Sequence, residues 1–175
     1  MALRPIIQHE LSSSQASIEL ANIPQNYTDL IVYSQLRTDY GTDEDTALVI
    51  INGSSTDQYS RILYGDGSND SATNQSIVRF AEATAATATA ATFSTSRLFI
   101  PNYSSSTLTK MFNLEATTHK YAPDAYQFIT TSKWNQTAPI TSLEMVPRFG
   151  SNFVSGSLVI VYAVMAGSDG ITVVS

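Results

Sequence analysis

Histidine, carboxylate and tyrosine are the groups in this chain that could do chemistry, and their spacing decides whether they do. The two histidines, His9 and His119, stand far apart, the second within ATTHKYAP. A histidine serves as a general base only when a nucleophile lies within hydrogen-bond reach. Neither belongs to an HExxH pair of zinc ligands or adjoins a GxSxG turn, so both read as surface or partner-facing side chains. Acidic residues gather in TDYGTDEDT, with Asp39, Asp43, Glu44 and Asp45, and in GDGSND, with Asp66 and Asp70. Oxygen-rich loops of this kind suit Ca²⁺, which takes roughly six to eight oxygen ligands. Their glycine and glutamate offsets do not match the EF-hand, and the loops read as solvated strand connections. A hydrolytic pair needs two carboxylates facing each other across a cleft, and nothing in the spacing sets two of these acids so. The sequence assigns no catalytic residue, no metal ligands and no cofactor.

The aromatic groups carry a different chemistry. Tyr27, Tyr33, Tyr59, Tyr64, Tyr103, Tyr121, Tyr126 and Tyr162 mostly fall in or beside strand-like segments. A ring with one buried edge and a wet hydroxyl suits a subunit interface or the margin of a sandwich. The same rings stack on sugars. Trp134, the single tryptophan, closes AYQFITTSKW just before a loop and reads chiefly as core or interface mass.

The elements that position these groups show a period of two. SIELANI, DLIVYSQLR, TALVIIN, DQYSRILYG, SRLFI, SSTLTKMFNLEAT, AYQFITTSKW, ITSLEMVPRF, SGSLVIVYAVMA and GITVV each read as a strand. Clusters of Gly, Pro, Asn or Ser bound them. Asn52-Gly53 tolerates positive φ, so TALVIIN and DQYSRILYG are expected to form a hairpin. About nine or ten strands with little helix between them predict an antiparallel β-sandwich, of jelly-roll type at this length. Residues 17–175 form the expected single jelly-roll domain, with 1–16 as an N-terminal segment. AEATAATATAATF, residues 81–93, reads as a long ordered surface excursion, with a helical turn as the alternative. GDGSNDSATNQS before it reads as an exposed polar loop.

Composition narrows the function. The net charge is −6 and the isoelectric point about 4.7. Nine basic residues are too thinly spread to neutralise adjacent phosphates, which argues against nucleic acid. An acidic chain gains nothing from an anionic membrane surface. The longest apolar run, LVIVYAVMA, is about half the length that a membrane helix needs. Without cysteine, stability must come from packing or oligomer contacts rather than from disulfides. Arg4, Pro5, Gln8, His9 and Glu10 break up the opening MALRPIIQHEL, so the expectation is a chain made in the cytoplasm without a signal peptide. Leu3, Ile6, Ile7 and Leu11 in that opening are candidate partner contacts. They would either add a strand to a neighbouring subunit or shell, or form the first strand of the chain's own sheet.

Four phrases, taken in order, carry a resemblance. They are IPQNYTDLIVYSQLR at 23–37, INGSSTDQYS at 51–60, IPNYSSS at 100–106, and WNQTAPITSLEMV continuing into GSNFVSGSLVIVYAV, which ends at Val164. Together they resemble a family of small tailed-bacteriophage virion proteins, over about residues 17–166. The closing strand departs from that pattern, with Ala163 where the family more usually has glycine after tyrosine. The resemblance implies a jelly-roll domain, non-enzymatic and often trimeric, that decorates a capsid or sits on a tail appendage.

The leading expectation is therefore a capsid decoration, or cement, protein. It would be a homotrimer bound to the major capsid protein on the outer surface of the virion, after synthesis in the host cytoplasm. The alternative is a tail-fibre or receptor-binding tip that recognises host surface glycans. Tyr103 and Trp134 are its candidate contacts, with loops 66–76 and 103–107 as its surfaces.

Overall fold

Side chains point alternately to the two faces of a strand, and the chain keeps that rhythm wherever one face meets a core. Along Lys110–His119 the buried residues are Lys110, Phe112, Leu114, Ala116 and Thr118. Its neighbour Ala125–Trp134 answers with Phe128, Thr130, Ser132 and Trp134. A computed structural model describes residues 2–119 and 125–165.

All regular elements of these residues are strands: β1 (Ala2–Glu10), β2 (Ile18–Leu20), β3 (Asp29–Gln35), β4 (Glu44–Ile51), β5 (Gln58–Gly65), β6 (Asp70–Gln75), β7 (Arg79–Thr84), β8 (Thr95–Ile100), β9 (Lys110–His119), β10 (Ala125–Trp134), β11 (Leu143–Pro147) and β12 (Leu158–Met165). They form an eight-stranded sheet in the order β1-β12-β3-β8-β9-β10-β5-β6 and a four-stranded sheet in the order β2-β11-β4-β7. Every strand pair is antiparallel. Buried residues of both sheets meet in one core, with Ile18, Val49, Ile51, Phe80 and Met145 on one side and Leu30, Val32, Leu98, Phe112 and Val161 on the other. The chain is an all-β antiparallel sandwich.

The connections swing between the layers. β1, β3, β8 and β12 belong to the large sheet and β2, β4, β7 and β11 to the small one; within this set the chain changes sheet at every step but β4 to β7, where the β5–β6 hairpin intervenes, and β5–β6 and β9–β10 widen the large sheet. β7 packs on β8 and β9. The widened sheet ends at β6, whose side chains are exposed or half-buried.

Three expectations are corrected. TALVIIN and DQYSRILYG do not pair. Asn52 and Gly53 do turn the chain, at φ 50° and 76°, but β4 joins the small sheet and β5 the large one. The turn chemistry was right, but it redirects the chain to the other layer. Residues 81–84 are not surface: they end β7, all six of whose residues are buried. One face of β7 lies on the large sheet, and segment 36–38 closes its free edge through Thr38 N to Thr84 O and Thr84 N to Leu36 O. A strand covered on all sides loses its alternation, and small Ala and Thr side chains fit the space. Within GDGSNDSATNQS, residues 70–75 are a strand, β6, hydrogen-bonded to β5 and exposed along its length. Of the two readings of the opening segment, the structure has the first strand of the chain's own sheet, since β1 pairs with β12. The expected strand GITVV and Tyr121 lie outside the described residues.

Candidate functional site

Two surfaces of the sandwich have the chemistry to recognise something. The first is a cleft of about 660 Å³ between the two sheets near β6. Tyr64, Ser71, Thr73, Gln75, Tyr126 and Phe128 line it from the large sheet; Glu44, Asp45, Thr46, Arg79 and Glu82 line it from the small one; Tyr40, Thr42, Asp43, Arg148 and Phe149 complete its rim.

The floor depends on a bulge. Ala47 opposes Ala81 but Leu48 opposes Arg79, so one extra β7 residue, Phe80, enters the ladder. An extra residue exchanges the faces to which the side chains on either side of it point. Arg79 and Glu82, three apart, thereby meet, with Nη1 2.5 Å from Oε1. Glu82 Oε2 accepts a hydrogen bond from Thr46 Oγ1 at 3.1 Å. Burial pushes the Glu82 carboxyl up to about 7, against the pull of Arg79 and Thr46, and the nearby Glu44 raises it further. The Arg79 guanidinium lies 5.8 Å from the Phe128 ring centroid, and its Nε is buried without a hydrogen-bond partner.

The rim is held by the acidic loop. Asp39 Oδ1 accepts from the Ser151 and Asn152 amides at 2.7 and 2.9 Å, and its Oδ2 from Asn152 Nδ2 at 2.8 Å. Those bonds, led by the Asn152 amide, hold the Asp39 carboxyl below its ordinary value. Asp45 accepts from the Phe149 and Gly150 amides at 3.3 and 3.0 Å. Carboxylates that read as solvated in the sequence thus clamp the backbone of 149–152. The clamp presents Phe149, 56% exposed, stacked on Tyr40 at 5.4 Å between centroids. Arg148 covers the Phe149 ring at 4.7 Å and donates to Gln75 Oε1 at 3.1 Å. On the opposite wall Tyr64 stacks on Phe128 at 5.6 Å, with Tyr126 edge-on to Tyr64 at 6.4 Å.

The second surface is the outer face of the large sheet. One row of directly opposed residues crosses all eight strands: Ala72, Leu63, Ile129, Glu115, Arg97, Tyr33, Ile160, Gln8. The next runs Asn74, Arg61, Thr131, Asn113, Phe99, Ile31, Tyr162, Pro5. Leu63 and Ile129 are each 51% exposed although they sit side by side. Tyr59, Tyr33 and Met111 are exposed as well, and Tyr33 meets Tyr162 edge-on at 5.8 Å. Tyr, Met and Arg amid apolar side chains is the composition that interfaces favour.

No protein-family model matches the chain, and no curated protein and no solved structure matches it. What it does must be read from these surfaces.

The residues singled out in the sequence fare unevenly. Tyr103 and Trp134, the glycan-contact candidates, are in the core at 0% and 3% exposure, which removes both as stacking platforms. Tyr103 donates its hydroxyl to the Pro24 carbonyl, and burial lifts its hydroxyl to about 12. Trp134 stands beside Lys110 in the β9–β10 ladder. Leu11 is buried in the chain's own core and Ile6 and Ile7 pack against that core, so of the four opening residues only Leu3 is well exposed. His119 Nε2 shares a 3.4 Å hydrogen bond with Thr89 Oγ1. No group of three His, Cys, Asp or Glu side chains among the described residues could hold a metal ion, and no helix among them is long and apolar enough to cross a membrane.

Sequence reading missed the cleft. Its components are scattered from Tyr40 to Phe149, and the bulge that pairs Arg79 with Glu82 leaves no mark in the composition. One signal was present: RFAEAT places two opposite charges in an otherwise apolar and small-residue run.

Proposed function

We propose that the chain is a structural component of a phage virion, a decoration protein that binds the outside of the capsid shell as a homotrimer and stabilises it. The observation that carries this reading is the outer face of the large sheet. Exposed Leu63, Ile129, Tyr33, Tyr59 and Met111 lie on one broad ladder, interspersed with Arg61, Arg97, Glu115 and Lys133. Such a surface gains most when it meets another protein, since burial returns about 25 cal/mol per Å² of apolar area. The winding supports the finer fold reading: four strands in each layer, with the chain changing layer at all but one step and two added hairpins, is how a jelly roll is laid out. The phrase-by-phrase resemblance to phage virion proteins points the same way. Stabilisation would come from mass action, because a protein that binds only the assembled shell favours assembly. No reaction is assigned to it.

The test mixes purified protein with shells that lack it, pellets them, and measures stoichiometry and the shell's melting temperature. Saturable, lattice-matched occupancy with a raised melting temperature is expected. Shells that sediment without the protein would overturn the reading. A receptor-binding tip remains the second reading, supported now by the cleft and not by Tyr103 or Trp134.

A further inference from the structure

We propose that the cleft between strands β5, β6 and β10 and the clamped loop 148–152 is a binding site for a neutral saccharide. The proposal names a site and ligand class for the receptor reading and does not rest on the shell-binding one.

Three observations carry it. The cleft is large enough, its 660 Å³ falling within the roughly 300–1,000 Å³ of ligand sites. Its two walls are rings: the Tyr40–Phe149 stack on one side, and Tyr64, Tyr126 and Phe128 on the other. Phe149 is held in water by polar means, with its backbone bonded to Asp45 and its ring covered by Arg148. Rings that are fixed in place around a cleft are preorganised to meet a ligand, so little entropy is lost on binding. The C–H face of a pyranose carries slight positive charge and meets the negative face of such a ring.

The polar groups between the walls then select the ligand. Asp43, Glu44, Asp45 and Glu82 set four carboxyl groups against the two guanidiniums of Arg79 and Arg148. An anion would face the surplus of acid. A cation would face Arg79 at the floor and Arg148 at the rim. A purely apolar ligand would leave Arg79 Nε without an acceptor. Hydroxyl groups both donate and accept, and they satisfy a mixed set without adding charge. Arg79 Nε, buried and unpartnered, awaits an acceptor of this kind.

The experiment is an amide NMR titration of ¹⁵N-labelled protein. The probes are glucose, galactose, mannose and N-acetylglucosamine, and the disaccharides lactose, cellobiose and chitobiose, each to about 100 mM, which covers millimolar dissociation constants. At least one is expected to give saturable shifts centred on Tyr40, Ser71, Thr73, Phe149 and Gly150. Phe149→Ala, at an exposed position, should weaken that binding about tenfold, equivalent to about 1.4 kcal/mol. Ser71→Trp, on exposed β6, fills the cleft from the other side and should abolish the shifts while the melting temperature holds. No saturable shift with any sugar would overturn the proposal, as would shifts centred on the outer sheet face. Binding of inorganic phosphate or spermidine at the cleft in place of every sugar would overturn it too.

Discussion

A β-carbon at Gly150 would lie 2.9 Å from Asp39 Oδ1, 3.1 Å from Asp45 Oδ2 and 3.2 Å from the Tyr40 amide nitrogen. All three belong to the apparatus that presents Phe149, so the close approach is what lets the two carboxylates reach the loop. Gly150→Ala should destabilise the protein by about 1–3 kcal/mol through overpacking, read by chemical denaturation. Glu82 makes a prediction of opposite character. Its carboxyl is lifted from 4.5 to about 7, so the folded protein holds that proton more tightly than the unfolded chain. Its contribution is therefore fully present below about pH 4.5 and is lost as pH rises toward 7. Glu82→Gln mimics the protonated form. Thermal melts from pH 4.5 to 8 should show a flatter profile for the variant, with its relative stability rising at the alkaline end. Lys110 is fully buried and donates to the carbonyls of Ser105, Leu108 and Thr137 at 2.7, 2.6 and 3.1 Å. Lys110→Met keeps the stem and leaves three carbonyls bare, which should cost about 2–4 kcal/mol and loosen loops 105–109 and 135–139 in hydrogen exchange.

At the scale of elements, the strands that expose one face were legible and the others were not. β3, β9 and β10 alternate because one side meets the core and one meets water. β7 is enclosed, and Ala81, Ala83 and Thr84 carry no period because neither face is wet. β6 fails for the converse reason: it is an edge strand whose side chains are exposed or half-buried, so it has no buried face to set a period. Asn52-Gly53 gave a turn that sequence chemistry foresees, yet no local rule says which layer the chain enters next. The cleft inherits all three difficulties, since it is built from β6, β7 and loops that converge from distant parts of the chain. The enclosure of β7 is testable. Ala83→Leu adds volume where Ala83 is 0% exposed and should cost about 1–3 kcal/mol, whereas the same change at exposed Ala72 of β6 should stay within about 0.5 kcal/mol. Paired urea denaturation of the two variants distinguishes them.

For the whole molecule, the proposed association rests on the outer face of the large sheet. Leu63 and Ile129 contribute no enclosed core volume, so Leu63→Glu combined with Ile129→Lys should leave the fold intact. The pair should nonetheless reduce self-association in light scattering and lower occupancy on shells by at least about tenfold, since the apolar contact area is lost. An unchanged oligomer would shift the interface to another face.

The two ends of the large sheet have a different consequence. An eight-stranded ladder with bare edges invites further strands of other copies, and a protein accumulating in many copies would polymerise without limit. Here β1 ends the sheet with Pro5, which has no N–H to offer, next to a register shift before Ile7. At the other end β6 is six residues of polar side chains around a single alanine, opening on Asp70. Both margins discourage continuation. Under the proposed assembly, copies that do not continue the sheet would meet through their faces, which favours closed assemblies of fixed number over fibrils.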